Sequence, residues 1–208
     1  MNTKKFLAGV SVAILGSLSF AANASIISVS GPNSSFSVAP AIISAPARAL
    51  DDDVTNSGMQ GFGEAQGVVT STAYTTDSGS IAAGTYVDSH MIFLNSAGND
   101  FLSHEDVVWT FGGIILGVMS DSGGTFEAAS TAELGSTATD YPAAFGARGF
   151  EGADTYTVSG SKLTVSMFVT EPGDWIRVVT AVPEPASLAL LGLGLAGFSM
   201  ARRRKRAI

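Results

Sequence analysis

His90 and His104 are the chain's two histidines, and each stands among carboxylates. Asp88 and His90 are two residues apart, which puts them on one face of a strand, and His104-Glu105-Asp106 opens the next apolar run. Imidazole and carboxylate together ligate divalent metals, so a His/carboxylate centre could be assembled from these two segments. The competing reading makes His90 a half-buried strand residue hydrogen-bonded to a neighbour and places His104 in a solvated loop. We adopt the second and assign no metal ligand.

Other chemistries leave weaker traces. Serine is abundant, but no Gly-x-Ser-x-Gly elbow stands near either histidine, and a serine nucleophile needs its base within hydrogen-bond reach. Glycoside cleavage needs two carboxylates across a cleft, and nothing in the sequence marks out a pair. No catalytic residue is assigned. Hard oxygen ligands gather at Asp51 to Asp53, Asn99-Asp100 and Asp121-Ser122, which makes calcium the one inorganic candidate. No Asp-x-Asp-x-Asp-Gly loop is present, so solvated acidic loops are expected there, and no cofactor is required. Arg148, Glu151 and Asp154 lie within seven residues, and Arg177 sits in the strongest β pattern. Each arginine is expected to pair with acids.

Cysteine is absent, which excludes disulfides, thiol catalysis and Cys-ligated zinc. Residues 25–182 hold four bases, Arg48, Arg148, Lys162 and Arg177, against 17 of the chain's 18 acids, a net charge of −13. So acidic a body repels phosphate backbones, and nucleic acid is excluded as a partner.

The elements that must carry these residues lie between two unusual ends. At the start, Lys4 and Lys5 precede an apolar run from Phe6 to Phe20 and then Ala22-Asn23-Ala24, a small-x-small cleavage pattern. This reads as a signal peptide over residues 1–24, cut by signal peptidase at Ala22 and Ala24. At the other end, Pro183 and Pro185 fix their own φ and disfavour helix at Val182 and Glu184, which gives a stiff, extended triplet. Ala186 to Ala201 carries no charge; as a helix these 16 residues span about 24 Å, slightly short of a bilayer core of about 30 Å. Arginine side chains reaching outward and local bilayer thinning make up the difference. Arg202, Arg203, Arg204, Lys205 and Arg206 then hold that end in the cytoplasm, so the body faces outward.

Pro183-Glu184-Pro185, a Leu/Gly/Ala-rich span and a terminal Arg cluster, in that order, resemble the PEP-CTERM sorting signal of Gram-negative bacteria. The resemblance covers Pro183 to Ile208. It implies recognition of Pro183, Glu184 and Pro185 by exosortase, a membrane-embedded transpeptidase-like protease, after a transient stay in the inner membrane. Cleavage near the triplet would then send the body to the cell surface or beyond. Glu184 is in this reading a recognition residue for another enzyme.

Residues 25–60 are rich in Ser, Ala, Pro and Gly, and we expect a loosely ordered lead-in with one early strand. From Gly61 the pattern turns to β. Tyr86 to Asn95 is a strand run, DVVWTF puts Val107, Trp109 and Phe111 on one face, and GIILGVM reads as its buried partner, closed by Asp121 to Gly124. Leu163, Val165, Met167 and Val169 alternate with polar positions. Turns at Ser159-Gly160-Ser161 and at Glu171-Pro172-Gly173-Asp174, the latter expected as type II, predict a three-stranded meander. No helical periodicity persists beyond about ten positions, so an all-β, antiparallel, jelly-roll-like sandwich is expected over residues 61–181, followed by the sorting signal over 182–208 with its single transmembrane helix.

Within Met59 to Thr180, MQGFGEAQGV, GTYVDSHMIFLN, GGIILGVMSD, ARGFEGADTY and PGDWIRVVT resemble a recurrent outer domain found in front of PEP-CTERM tails. The resemblance implies one β domain and no mechanism. The functional expectation is an exported, non-enzymatic surface or extracellular-matrix protein, sorted by exosortase and associated with exopolysaccharide or biofilm. A calcium-dependent carbohydrate-binding or adhesive module and a secreted hydrolase are the alternatives.

Overall fold

The computed structural model describes residues 25–182, which form twelve strands and one helix. Strands β1 (Ile26–Ser30), β8 (Leu102–Phe111), β11 (Lys162–Val169) and β10 (Thr155–Ser159) lie side by side in that order in an antiparallel four-stranded sheet. The larger sheet runs β2 (Ala41–Ile42), β3 (Gln60–Gly63), β7 (Tyr86–Leu94), β12 (Asp174–Ala181) and β9 (Ile115–Met119), with β4 (Val68–Val69) also on β7. Its pairings are antiparallel except β2 with β3. A hairpin of β5 (Tyr74–Thr76) and β6 (Gly79–Ile81) and helix α1 (Thr125–Leu134) complete the described residues.

Period-two alternation decides what lies between the sheets. Val107, Trp109 and Phe111 from β8 and Leu163, Val165, Met167 and Val169 from β11 turn inward. They meet Ile92 and Leu94 from β7 and Ile176 and Val178 from β12 in one cluster. The larger sheet is buried on its other face too. There Val87, Met119 and Val179 pack with Tyr74, Ile81 and Leu134, while Met91, Phe93 and Trp175 pack with Ala49 and Phe62. Phe93 and Trp175 stack with ring centres 4.2 Å apart. A strand covered on both sides is buried at consecutive positions, as β7 and β12 are, and its polar residues are buried with it.

Several elements depart from expectation. The meander stops at two strands: Gly160 at φ 63° turns β10 into β11, with Ser159 opposite Lys162, but β12 crosses to the larger sheet between β7 and β9. The β8 and β9 runs likewise belong to different sheets. Alternation marks a buried face, and a sandwich offers two sheets to bury it against. The Glu171–Asp174 turn is not type II, because Gly173 is not among the positive-φ residues. Glycine is required there by close approach instead, since a Cβ at Gly173 would stand 2.5 Å from Asn95 Cα.

The stretch expected as a loose lead-in supplies β1 and β2 and buries Ala49, Asn56 and Met59. Its Ser/Pro-rich composition masks the pattern, but its backbone still pairs. Helix α1 is a departure from the all-β expectation. Asp121 sets its start by accepting from the Thr125 and Phe126 amides at 2.8 and 2.9 Å, and the Gly135 amide donates to Thr131 O at its end. The face it buries carries Glu127, Ser130 and Leu134, so no apolar stripe betrays it.

Candidate functional site

The β7–β12 register organises the polar groups. Asp88, His90, Ile92 and Leu94 face inward opposite Thr180, Val178, Ile176 and Asp174, while Ser89, Met91 and Phe93 face outward with Val179, Arg177 and Trp175. Both faces hold buried charge or imidazole, and each group needs a partner to be there.

On the outer face, Arg177 grips Glu64 with two prongs, Nε to Oε2 and Nη2 to Oε1, each 2.8 Å. Its Nη1 donates to Glu127 O at 2.6 Å and to Ser130 Oγ at 2.7 Å, tying β12 to α1. Tyr141 and Ser89 hydroxyls also donate to Glu64. Burial, and then the Glu64 charge, push the Tyr141 phenol far above its ordinary range. Arg148 makes a second two-pronged pair with Glu127, at 2.9 and 2.8 Å, and its guanidinium carbon lies 5.0 Å from the Trp175 ring centre. The expectation that each arginine pairs with acids holds for both. The partner expected for Arg148 does not: it takes Glu127, and Glu151 and Asp154 lie elsewhere.

On the inner face, His90 Nε2 lies 3.2 Å from Thr180 Oγ1 and its ring 4.9 Å from that of Phe111. Asp88 Oδ1 accepts from the Gly67 amide. Both residues are fully buried, so His90 lies deeper than the half-buried position expected. His104 corrects expectation more sharply. It stands in β8, 1% exposed, with Nδ1 accepting from the Met59 amide at 2.8 Å and Nε2 against Pro32 O at 2.9 Å. The carbonyl requires an Nε2–H donor, which fixes a neutral tautomer, and burial lowers its pKa. Among the described residues, neither histidine joins a group of three ligating side chains.

In the acidic loops considered for calcium, two carboxylates have protein partners and a third is open to solvent. Asp121 caps α1, Asp53 pairs with Arg48 at 3.0 Å, and Asp100 is exposed. One three-carboxylate group does form among the described residues: Glu151, Asp154 and Asp174, with ligating oxygens within 4.8 Å of one another. Asp174 is 1% exposed, and neither of its oxygens receives a hydrogen bond from an amide, hydroxyl or cationic group. Burial, followed by the charges of Asp154 and Glu151, pushes its carboxyl up to about 10. Burial also raises the Glu151 and Asp154 carboxyls. In the sequence Asp174 reads as the last residue of a turn, and only the sandwich brings it to a segment twenty residues earlier.

A groove of about 270 Å³ lies beside β9 and β10, walled by Ile115, Leu116, Val118, Tyr156 and Val158. Its one ionisable wall residue, Tyr156, donates to Asp77 at 3.0 Å, so the groove and the acidic group do not coincide.

The residues assigned to processing, Ala22, Ala24, Pro183, Glu184, Pro185 and Arg202 to Arg206, lie outside the described residues, as does the expected tail helix. No helix among the described residues is long and apolar enough to cross a membrane. What the structure places is the segment that leads to the triplet. β12 is bonded on both sides up to its end: Ala181 donates to Ile114 O at 2.9 Å, and Val182 to Tyr86 O at 3.4 Å. The next residue, Pro183, has no N–H with which to extend a ladder.

Residues 181–205 match the PEP-CTERM protein-sorting motif. No curated protein and no solved structure matches the chain. The match opens on the last residue of β12, a strand paired with β7 along its length and with β9 over Arg177 to Thr180. A motif of this class implies exosortase processing at the membrane and an extracellular destination. The chain is thus a protein that carries a PEP-CTERM sorting motif, directly behind a two-sheet β body.

Proposed function

We propose that this protein is a non-enzymatic component of the cell surface or extracellular matrix, associated with exopolysaccharide or biofilm. In this reading signal peptidase removes the leader at Ala22-Asn23-Ala24, and the apolar tail holds the chain briefly in the inner membrane. Exosortase recognises Pro183-Glu184-Pro185, and the body is released or attached beyond the membrane.

The match of residues 181–205 to the sorting motif carries the reading. The chemistry of the body supports it. Three groups that an active site could employ are engaged in structure: Arg177 on Glu64, Arg148 on Glu127, and His104 on two backbone groups. The acidic body is also compatible with a hydrated, sugar-rich setting.

Fractionating cultures of an exosortase-positive host and of its exosortase-deficient sibling tests the destination. We expect the protein in the polysaccharide-rich matrix fraction of the first and in the membrane fraction of the second. Polysaccharide-cleaving activity in the purified protein, or an even distribution between the two hosts, would overturn the reading.

A further inference from the structure

Glu151 and Asp154 sit in the turn before β10, at the edge of the four-stranded sheet. Asp174 is the first residue of β12, in the middle of the other sheet. The turn is pre-shaped. The Asp154 amide donates to Glu151 O at 3.2 Å, the Glu151 amide donates to Asp154 Oδ2 at 2.9 Å, and Gly152 takes φ 63° between them. The Phe168 amide of β11 donates to Asp154 Oδ1 at 2.7 Å. Each Asp154 oxygen thus accepts one backbone hydrogen bond.

Asp174 meets this turn with no cation beside it. Its side chain is buried, neither oxygen receives a hydrogen bond from an amide, hydroxyl or cationic group, and it lies against two further carboxyls. The cations of the described body are engaged elsewhere: Arg48 on Asp53, Arg148 on Glu127 and Arg177 on Glu64. Lys162 stands at the opposite end of β11 from Phe168, a distance of about 20 Å at strand rise. A buried carboxyl placed against two others without a donor or counter-charge is costly unless something positive or a proton occupies the space between them.

A proton shared between Asp154 and Asp174 would serve one pair of these carboxyls, whereas a divalent cation serves all three. Oxygens that bind one calcium ion at about 2.4 Å lie up to about 4.8 Å apart across it. The three ligating oxygens fall within that limit of one another. Their donor set is oxygen alone, which suits a hard divalent ion and disfavours copper or zinc. We propose that Glu151, Asp154 and Asp174 form a calcium site that clamps the turn before β10 to the start of β12 and so braces one sheet against the other. In a chain without cysteine, such a brace joins the sheets as a disulfide would. An affinity on the order of 10⁻⁴ to 10⁻³ M fits three carboxylates on an exported module.

The test uses the purified, processed protein, stripped with EDTA and melted with and without 5 mM calcium chloride, alongside calorimetric titration with calcium. Wild type is expected to gain about 4 °C in Tm. Asp174→Asn, which keeps the side chain's shape and removes a buried charge, is expected to fold with an EDTA-state Tm at or above wild type and to lose the gain. Glu151→Gln, at an exposed position, is expected to weaken calcium affinity about tenfold. A wild-type Tm and titration indifferent to calcium would overturn the proposal. So would a full calcium shift retained by Asp174→Asn and Glu151→Gln, because it would put the ion elsewhere. None of these outcomes depends on how the C-terminus is processed.

Discussion

Arg177 and Glu64, 113 residues apart in sequence, meet in a two-pronged ion pair of 2.8 Å contacts with both side chains closed off from solvent. Removing one partner leaves the other charged and buried, which costs about 3–5 kcal/mol. Glu64→Ala should therefore lower unfolding free energy by about that amount in urea titration. The double change Glu64→Leu with Arg177→Met should cost less than Glu64→Ala, because no charge is left behind. A loss below about 1 kcal/mol for Glu64→Ala would mean that the pair is not closed to water.

Gly61 is fixed by contact, not by turn geometry. A Cβ there would lie 2.7 Å from the Trp109 ring, in the centre of the core. Gly61→Ala is expected to cost about 1–3 kcal/mol through displacement of the indole. Thermal melting should show a fall of several degrees, with a change in tryptophan fluorescence.

His104 gives the body a pH dependence of known sign. Its pKa is lowered from 6.5 by burial, so the native state holds it neutral while the unfolded chain takes up a proton near pH 6.5. Its contribution is complete above that pH and is lost as pH falls through 6.5 towards the depressed native value. Between pH 7.5 and 5 the urea midpoint of wild type should fall relative to that of His104→Gln, the raised Asp174 carboxyl acting in the opposite sense in both proteins. An unchanged slope in the variant would show that other groups set it.

Glu184 stands between the two prolines of the triplet. Glu184→Ala should leave folding of the body unaffected and cause uncleaved, membrane-held precursor to accumulate in an exosortase-positive host. Immunoblots of membrane and medium fractions read this directly, and unchanged release would count against recognition of the triplet.

Much of the β body is legible from side chains two apart. The run of β7, the alternation of β11 and the inward set Val107, Trp109 and Phe111 follow from period and residue type. Which sheet a strand joins does not follow, and β12 illustrates why: it carries apolar residues on both faces, so nothing in it distinguishes β11 from β7 and β9 as neighbours. Helix α1 hides for a related reason. Its inward face is polar because Arg148 and Arg177 reach it from other elements. His104 is buried by an amide 45 residues away and a carbonyl 72 away, and Asp174 finds its carboxylate neighbours only through the sandwich. The sorting motif is the opposite case. Its triplet, apolar span and basic cluster are contiguous, so local order alone reveals it.

The most direct measurement is the mass of the mature C-terminus, taken from the protein made in hosts with and without exosortase. The account predicts an end close to Pro183-Glu184-Pro185 in the first host, with Arg202 to Arg206 gone, and an intact Ile208 terminus in the second. A water-soluble product from the exosortase-positive host that still carries its terminal arginines would contradict it.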